Sequence, residues 1–241
     1  YGIGLTLLLT FIIVEPYLSK EGSVTMLDIG QGDAIVLELP YRKGVFFIDA
    51  GATIDFTDNE PKDTVYRSVI KPYLMGRGIE EIDSVFISHA HLDHHGSVRY
   101  LVEDFSVGEI IVHPFFADEI ELGHWNERDV PVRSLAAGQS LTRKGQRFYA
   151  LSPDNDTGDE NDNSLVLYSE IGPLASLFTG DISTARERQL IQAYPNIKLD
   201  LLKVAHHGSN TSTDEELLKT YRPNLALIGV GKNNRYGHPA K

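Results

Sequence analysis

Three imidazoles and a carboxylate fall within six residues, His89-Ala90-His91-Leu92-Asp93-His94. The chain has no cysteine, so any metal bound here rests on His, Asp, Glu and neutral oxygen donors. Histidines at i and i+2 in a loop behind an apolar strand project toward one ion. Asp93 and His94, further round the turn, face a second. Two-metal hydrolytic sites hold their ions about 3.5–4 Å apart across a shared ligand. Asp181 is the natural bridging carboxylate and His206 the natural ligand of the second ion. His207 then turns toward substrate, although adjacent histidines leave the choice between the two open. The bland alternative is a His-rich surface loop that binds nothing, and the position directly behind an apolar strand argues against it. His95 reads as a supporting or exposed residue. His113, His124 and His238 are isolated, as structural histidines usually are, but the turn Tyr236-Gly237-His238-Pro239 could carry His238 to a cleft.

Asp49, His89, Asp181 and His206 each lie at or just beyond the end of an apolar run, and strand ends along one sheet edge converge in space. Apolar content and flanking turn residues predict strands at Ser23–Ile29, Ala34–Leu39, Val45–Ile48, Ser84–Ile87, Glu109–Val112, Ser164–Tyr168, Ala175–Phe178, Leu199–Ala205 and Leu225–Gly229. Helical spacing predicts helices at Thr64–Leu74, with Pro72 as an awkward interior residue, and at Ser97–Asp104, Thr184–Tyr194 and Thr213–Tyr221. Thr53–Lys62 reads as a polar loop, and residues 113–153 as irregular connection. Residues 154–163 form an acidic, turn-rich stretch. Strands grouped early and late with helices between them suggest an α/β fold of four layers, two sheets packed together with helices outside.

The 241 residues carry a net charge of −12, which argues against a broad basic face for nucleic acid. It leaves room for a local phosphate site, because bound divalent ions bring their own positive charge. Ile3–Val14 is an uncharged apolar run of twelve residues, short of the roughly 20 that span a bilayer. It reads either as a buried element or as the tail of a membrane helix, with Ser19–Gly22 as linker.

The HxHxDH run resembles the signature of the metallo-β-lactamase superfamily. Further stretches resemble the hydrolase domain of ComEC-type DNA-uptake channel proteins: Asp28-Ile-Gly-Gln-Gly-Asp33-Ala, Ile48-Asp49-Ala-Gly51, Asn163-Ser-Leu-Val-Leu167, Thr179-Gly-Asp181, Leu202-Lys-Val-Ala-His206-His207-Gly-Ser209 and Asn234-Arg-Tyr-Gly-His238-Pro239. The likeness implies an αββα sandwich over residues 23–241 that stops short at its C-terminus. It also implies that residues 1–22 are the remnant of a membrane helix and its linker. Two departures stand out. The histidine that superfamily members supply to the first ion from a third motif is absent, with Asn163 nearest that place, which makes the first site looser and shifts its preference from Zn²⁺ toward Mn²⁺. Gly96-Ser97 stands where two glycines are usual. His91, by contrast, stands where many ComEC-like relatives carry Asp, and strengthens the two-metal reading.

The resemblance implies hydrolysis of DNA phosphodiesters, with degradation of the strand that does not enter the cell, on the extracytoplasmic side of a bacterial membrane. The implied partners are DNA, the channel region of the same polypeptide and other competence proteins. In that scheme His89, His91, Asp93, His94, Asp181 and His206 hold two divalent ions, Mn²⁺ or Zn²⁺. Asp93 or Asp33 orients the attacking water and His207 protonates the leaving oxygen. Gln31, Asn163, Ser209 and His238 contact substrate. Two rivals remain at this level: a phosphodiesterase for small molecules on the same ions, and a non-catalytic metal-bound module that positions DNA.

Overall fold

The computed structural model describes residues 2–55 and 60–240. Two six-stranded mixed sheets face each other. The first runs, in spatial order, Ser23–Met26, Ala34–Glu38, Val45–Ala50, Ser84–Phe86, Ile110–Val112 and Val132–Ser134. The second runs Ser140–Arg143, Gln146–Ser152, Val166–Ile171, Leu174–Phe178, Leu201–Lys203 and Leu225–Leu227.

Period-two alternation builds the layers. Ile35 and Leu37 point into the space between the sheets with Phe46, Ile48 and Phe86, where they meet Phe148, Leu167 and Phe178 from the opposite sheet. Their neighbours Ala34, Val36 and Phe47 point outward onto helical residues Tyr66, Ile70, Leu74, Leu101 and Trp125. The far side of the second sheet is covered in the same way, with Val166, Leu177 and Leu202 packed on Leu190, Ile191, Leu217 and Tyr221. The order is helix, sheet, sheet, helix, so the expected αββα sandwich is borne out.

Most predicted elements stand close to the expected bounds, with three differences. The helix expected at Thr64–Leu74 is a π-helical turn, Tyr66–Ile70, running into an α-helix, Lys71–Arg77. Pro72 lies inside one continuous helical run, residues 64–77, and the widened turn just before it is the local irregularity expected where a proline removes a helical donor. Thr53–Asp55 and Glu60–Lys62 pair as a small antiparallel ribbon, while residues 56–59 of the expected loop lie outside the described residues. The irregular connection contains the helix Glu119–Glu127 and three strands. One hairpin within it turns on Lys144-Gly145, both at positive φ, the two-residue turn whose twist matches the flanking strands.

The apolar N-terminal run lies in a helix, Gly2–Leu18. Leu5, Leu8, Phe11 and Leu18 of that helix are exposed. Its end is tied to the sheet by the Arg42 guanidinium, 5.3 Å over the Tyr17 ring, and by the Tyr41 N–H donating to the Ser19 carbonyl at 2.7 Å. No helix among the described residues is long and apolar enough to cross a membrane.

Candidate metal centre

Parallel pairing sets the site. Val45–Ala50 runs parallel to Ser84–Phe86, and Leu174–Phe178 parallel to Leu201–Lys203, so the C-terminal ends of each pair open on one edge. Asp49, the HxHxDH turn, Asp181 and the His206-His207 turn follow from those four ends. Gly32-Asp33 reaches the same place because the Asp33 N–H donates to the Asp93 carbonyl at 3.0 Å. The approach there is close: a Cβ on Gly51 would stand 1.9 Å from the Asp93 carbonyl oxygen. Only glycine lets the two loops touch.

Asp33, His94, Asp181 and His207 each offer a ligand atom within 4.8 Å of the others, and all four are buried. His94 Nε2 lies 3.3 Å from Asp181 Oδ2, and His207 Nε2 lies 3.3 Å from the same oxygen. Asp93 Oδ2 approaches His207 Nε2 at 3.4 Å from the open side. Supporting contacts aim both rings. Asp49 Oδ2 holds His94 Nδ1 at 2.8 Å, and Asp49 itself accepts from the Ser88 N–H at 2.7 Å and the Ser88 hydroxyl at 2.8 Å. The Gly229 carbonyl holds His207 Nδ1 at 2.7 Å. Each ring therefore turns Nε2 inward, the arrangement in which a carboxylate or carbonyl behind a metal-ligating histidine fixes its tautomer.

The centre fits a divalent cation. Asp33 Oδ1, His94 Nε2 and His207 Nε2 are buried without a hydrogen-bond partner, and orphaned buried polar atoms are expensive unless something pairs them. Two imidazoles among carboxylates suit a borderline or hard ion. Electrostatics point the same way. Burial alone would lower the His94 pKa, but Asp181 and Asp49 outweigh it and hold the ring well above its ordinary value. Burial pushes Asp181 up, yet His94 and Lys203 bring it well below the usual carboxylate range. Asp93 is likewise pushed up by burial and brought below its usual value by the close approach of His207 and the charge of His94.

Lys203 is a member of the centre that a reading of motifs passes over. It is fully buried, with Nζ against Asp33 Oδ2, 3.2 Å from Asp181 Oδ1 and donating to the Gly180 carbonyl at 2.8 Å. Burial would lower its pKa, but Asp33 and Asp181 raise it above the ordinary value and keep the ammonium charged. The available signal was one lysine in the apolar strand Leu201-Leu202-Lys203-Val204, since lysine is almost never fully buried unless paired.

Several residues fall elsewhere than expected. His207, not His206, enters the centre. Both adopt left-handed backbone, with φ of 49° at His206 and 54° at His207, and Gly208 continues at 75°. This turn swings the His207 ring inward and leaves His206 half-buried on the cleft wall, 6.0 Å from the His238 ring. Asp33 does not face the cleft as a water-orienting group would. It is sealed behind the centre against Lys203. Asn163 is engaged away from the centre: its amide nitrogen donates to Asp156 at 2.7 Å, and its oxygen accepts from the Thr157 N–H at 3.0 Å and hydroxyl at 2.9 Å. It secures the acidic loop, with both lone pairs of its amide oxygen engaged there. Ser209 shares a hydrogen bond with the Thr211 hydroxyl at 2.9 Å and closes its own turn. His89 Nε2 and His91 Nδ1 lie 3.0 Å apart, while Ser164 Oγ lies 3.4 Å from His89 Nδ1 on the other side of that ring. The first-ion set is therefore two nitrogens, and the four-ligand set is the closed one. Gln31, His91, Asp93, Asp181, His206 and His238 all line a cleft of about 370 Å³ over the centre.

Residues 27–231 match the metallo-beta-lactamase superfamily. The chain belongs to that superfamily. Its members are in general metal-dependent hydrolases. Sequence similarity extends to ComE operon protein 3 of Bacillus subtilis (strain 168), 35% identical over 95% of this chain and 31% of that protein. It extends also to Recombination protein 2 of Haemophilus influenzae, 32% identical over 98% of this chain and 28% of that protein. Competence protein ComA of Neisseria gonorrhoeae is 29% identical over 92% of this chain and 29% of that protein. The chain thus spans under a third of each relative's length, and the expected kinship with competence proteins is borne out. Among solved structures, the metallo-beta-lactamase SMB-1 superposes with a TM-score of 0.54 at 12% identity, over 78% of this chain and 79% of that one. The β-hydroxylase CmlA superposes with a TM-score of 0.58 at 14% identity, over 87% of this chain and 46% of that one. At these identities the likeness is one of fold.

Proposed function

We propose that this superfamily member is a metal-dependent phosphodiesterase that cuts DNA, acting on the discarded strand during DNA uptake. The observation that carries the reading is the buried four-ligand centre at the floor of an open cleft, in a chain whose relatives include a competence protein by name. A Mn²⁺ or Zn²⁺ ion would be held by Asp33, His94, Asp181 and His207, and would supply a Lewis acid for the phosphate and a water of lowered pKa. A second ion would have to rest on His89 and His91 with help from outside the protein.

The chain's own groups supply the rest. Asp93, at the cleft side of the centre and held ionised, accepts the proton of the attacking water. Lys203 balances the carboxylates Asp33 and Asp181, so a phosphate does not meet a bare cluster of negative charge. His206 and His238 on the cleft wall donate hydrogen bonds to phosphate and leaving-group oxygens, the part the sequence alone assigns to His207. Gln31 is anchored by accepting from the Gly231 N–H at 3.1 Å and steadies the loop that closes the cleft.

The same reading assigns residues 1–22 to the junction with a membrane channel, and the hydrolase to the extracytoplasmic face. The exposed apolar side of Gly2–Leu18 supports that assignment. The decisive experiment is cleavage of linear DNA by purified protein with Mn²⁺ or Zn²⁺. Activity lost in His94→Ala and Asp181→Asn supports the reading. Absence of cleavage with every divalent ion tried overturns it and favours a DNA-positioning module.

A further inference from the structure

One wall of the cleft is a run of planar groups. The Tyr236 ring lies nearly parallel to the His238 ring, at 14° with centroids 5.7 Å apart. The Arg235 guanidinium carbon sits 4.8 Å from the Tyr236 centroid. His206 continues the run toward the centre, 6.0 Å from His238. With these neighbours in place Tyr236 is still 53% exposed. The turn that presents it is built, not loose: Asn234 Oδ1 accepts from the Tyr236 N–H at 3.1 Å and the His238 N–H at 3.0 Å, and Asn234 Nδ2 donates to the His238 carbonyl at 2.7 Å.

Tyr236 also stands on a ridge. It lines the cleft over the centre, and with Gln31, Asp93 and Arg235 it lines a second cleft of about 340 Å³. That second cleft has a more apolar floor at Ile29 and Ala52, with Lys232 at its edge. A polymer with one phosphate at the centre and its next unit in the second cleft must cross Tyr236.

We propose that Tyr236, backed by His238 and Arg235, seats an unpaired nucleobase of the strand being cut, so that the enzyme selects single-stranded over double-stranded DNA. The inference rests on the nuclease reading. Its physical basis is separate. A base inside a duplex is stacked and paired and cannot reach a side-chain ring without being extracted, whereas every single-stranded base offers a free face. Duplex affinity comes largely from many phosphate contacts across a basic face, and a net charge of −12 leaves little of that. Stacking on an exposed tyrosine, with a cation beside it for the backbone, is the means of grip this surface retains.

The test uses a single-stranded oligonucleotide carrying 2-aminopurine, whose fluorescence is quenched by stacking, with the same strand made abasic at the probed position as control. Wild-type protein should quench the probe and bind the base-bearing strand more tightly than the abasic one. Tyr236→Ala should abolish the quenching, weaken binding of the base-bearing strand roughly ten- to hundredfold and leave the abasic strand unaffected. Tyr236→Trp should retain both quenching and affinity, which a merely structural role for the turn would not predict. Equal binding of base-bearing and abasic strands by wild type, or cleavage of end-blocked duplex as fast as single strand, overturns the proposal while leaving the nuclease reading intact. Failure of wild type to cut any DNA sinks the nuclease reading instead, whatever the fluorescence shows.

Discussion

Asp181 and Asp49 favour a proton on His94 at the place where an ion would bind. They raise the pKa of that ring above the ordinary imidazole value against the opposing effect of burial. A metal ligand must give up that proton, so ion binding at neutral pH should release protons. Calorimetric titration in two buffers of different ionisation enthalpy reads this directly. Identical heats in both would show that His94 binds no proton before the ion arrives. Lys203 gives a second residue-scale expectation. Removing one partner of a buried ion pair strands the others, at a loss of about 3–5 kcal/mol. Lys203→Met should lower the denaturant stability of the metal-free protein by about that amount, and added divalent ion should restore part of it. The HxHxDH residues were legible because ligand type and spacing are written in the sequence. The choice between His206 and His207 was not, because two consecutive left-handed residues decide it and no propensity signals them. Such strain, about 1–3 kcal/mol per residue, persists only where the surroundings enforce it, here through the Gly229 carbonyl on His207.

At the scale of elements, turns do the positioning. Gly51→Ala would drive a methyl group into the Asp93 carbonyl. The HxHxDH turn must then shift, with a stability loss of about 1–3 kcal/mol and weaker metal uptake, measured by melting and by metal analysis of the same sample. On the second sheet, the helix Thr184–Ala193 offers Glu187 to the turn before the next helix. The carboxylate accepts from the Thr213 N–H at 2.5 Å and the Asp214 N–H at 3.0 Å. Burial nevertheless raises its pKa to about 7, from a model-peptide value of 4.5. The folded state thus binds this proton more tightly than the unfolded chain does. This group's contribution is greatest below about pH 4.5 and is lost as pH rises to 7, a swing of roughly 3 kcal/mol. Glu187→Gln should remove that slope. Parallel pH–stability curves for the two proteins would show that Glu187 titrates normally. Elements with strong periodicity, such as Thr184–Ala193, were legible. The hairpin around Lys144-Gly145 was not, because Ser140–Arg143 is mostly exposed and the buried alternation of Gln146–Ser152 is masked by a continuous apolar run, Phe148-Tyr149-Ala150-Leu151.

The whole molecule divides its site between two halves. Asp33, Asp49 and the HxHxDH turn belong to the first sheet, and Asp181, Lys203 and His207 to the second. The four-layer architecture was legible from the order of strands and helices, and the depth of the centre was not, since it depends on how two sheets separated along the chain come together. The segment Leu135–Gln139 passes between the sheets, and the ligands lie on either side of it. An ion held by this group would therefore act as a clasp between the two halves. Two fragments made by cutting the chain at that segment would each carry half of the ligands and one face of the shared apolar core. Their reassociation should be gated by the ion, with an apparent affinity that rises with metal concentration and falls on chelation. Sedimentation of co-expressed fragments with and without chelator measures this. In the intact protein the same clasp ties metal supply to survival: metal-starved protein should be digested sooner by proteases.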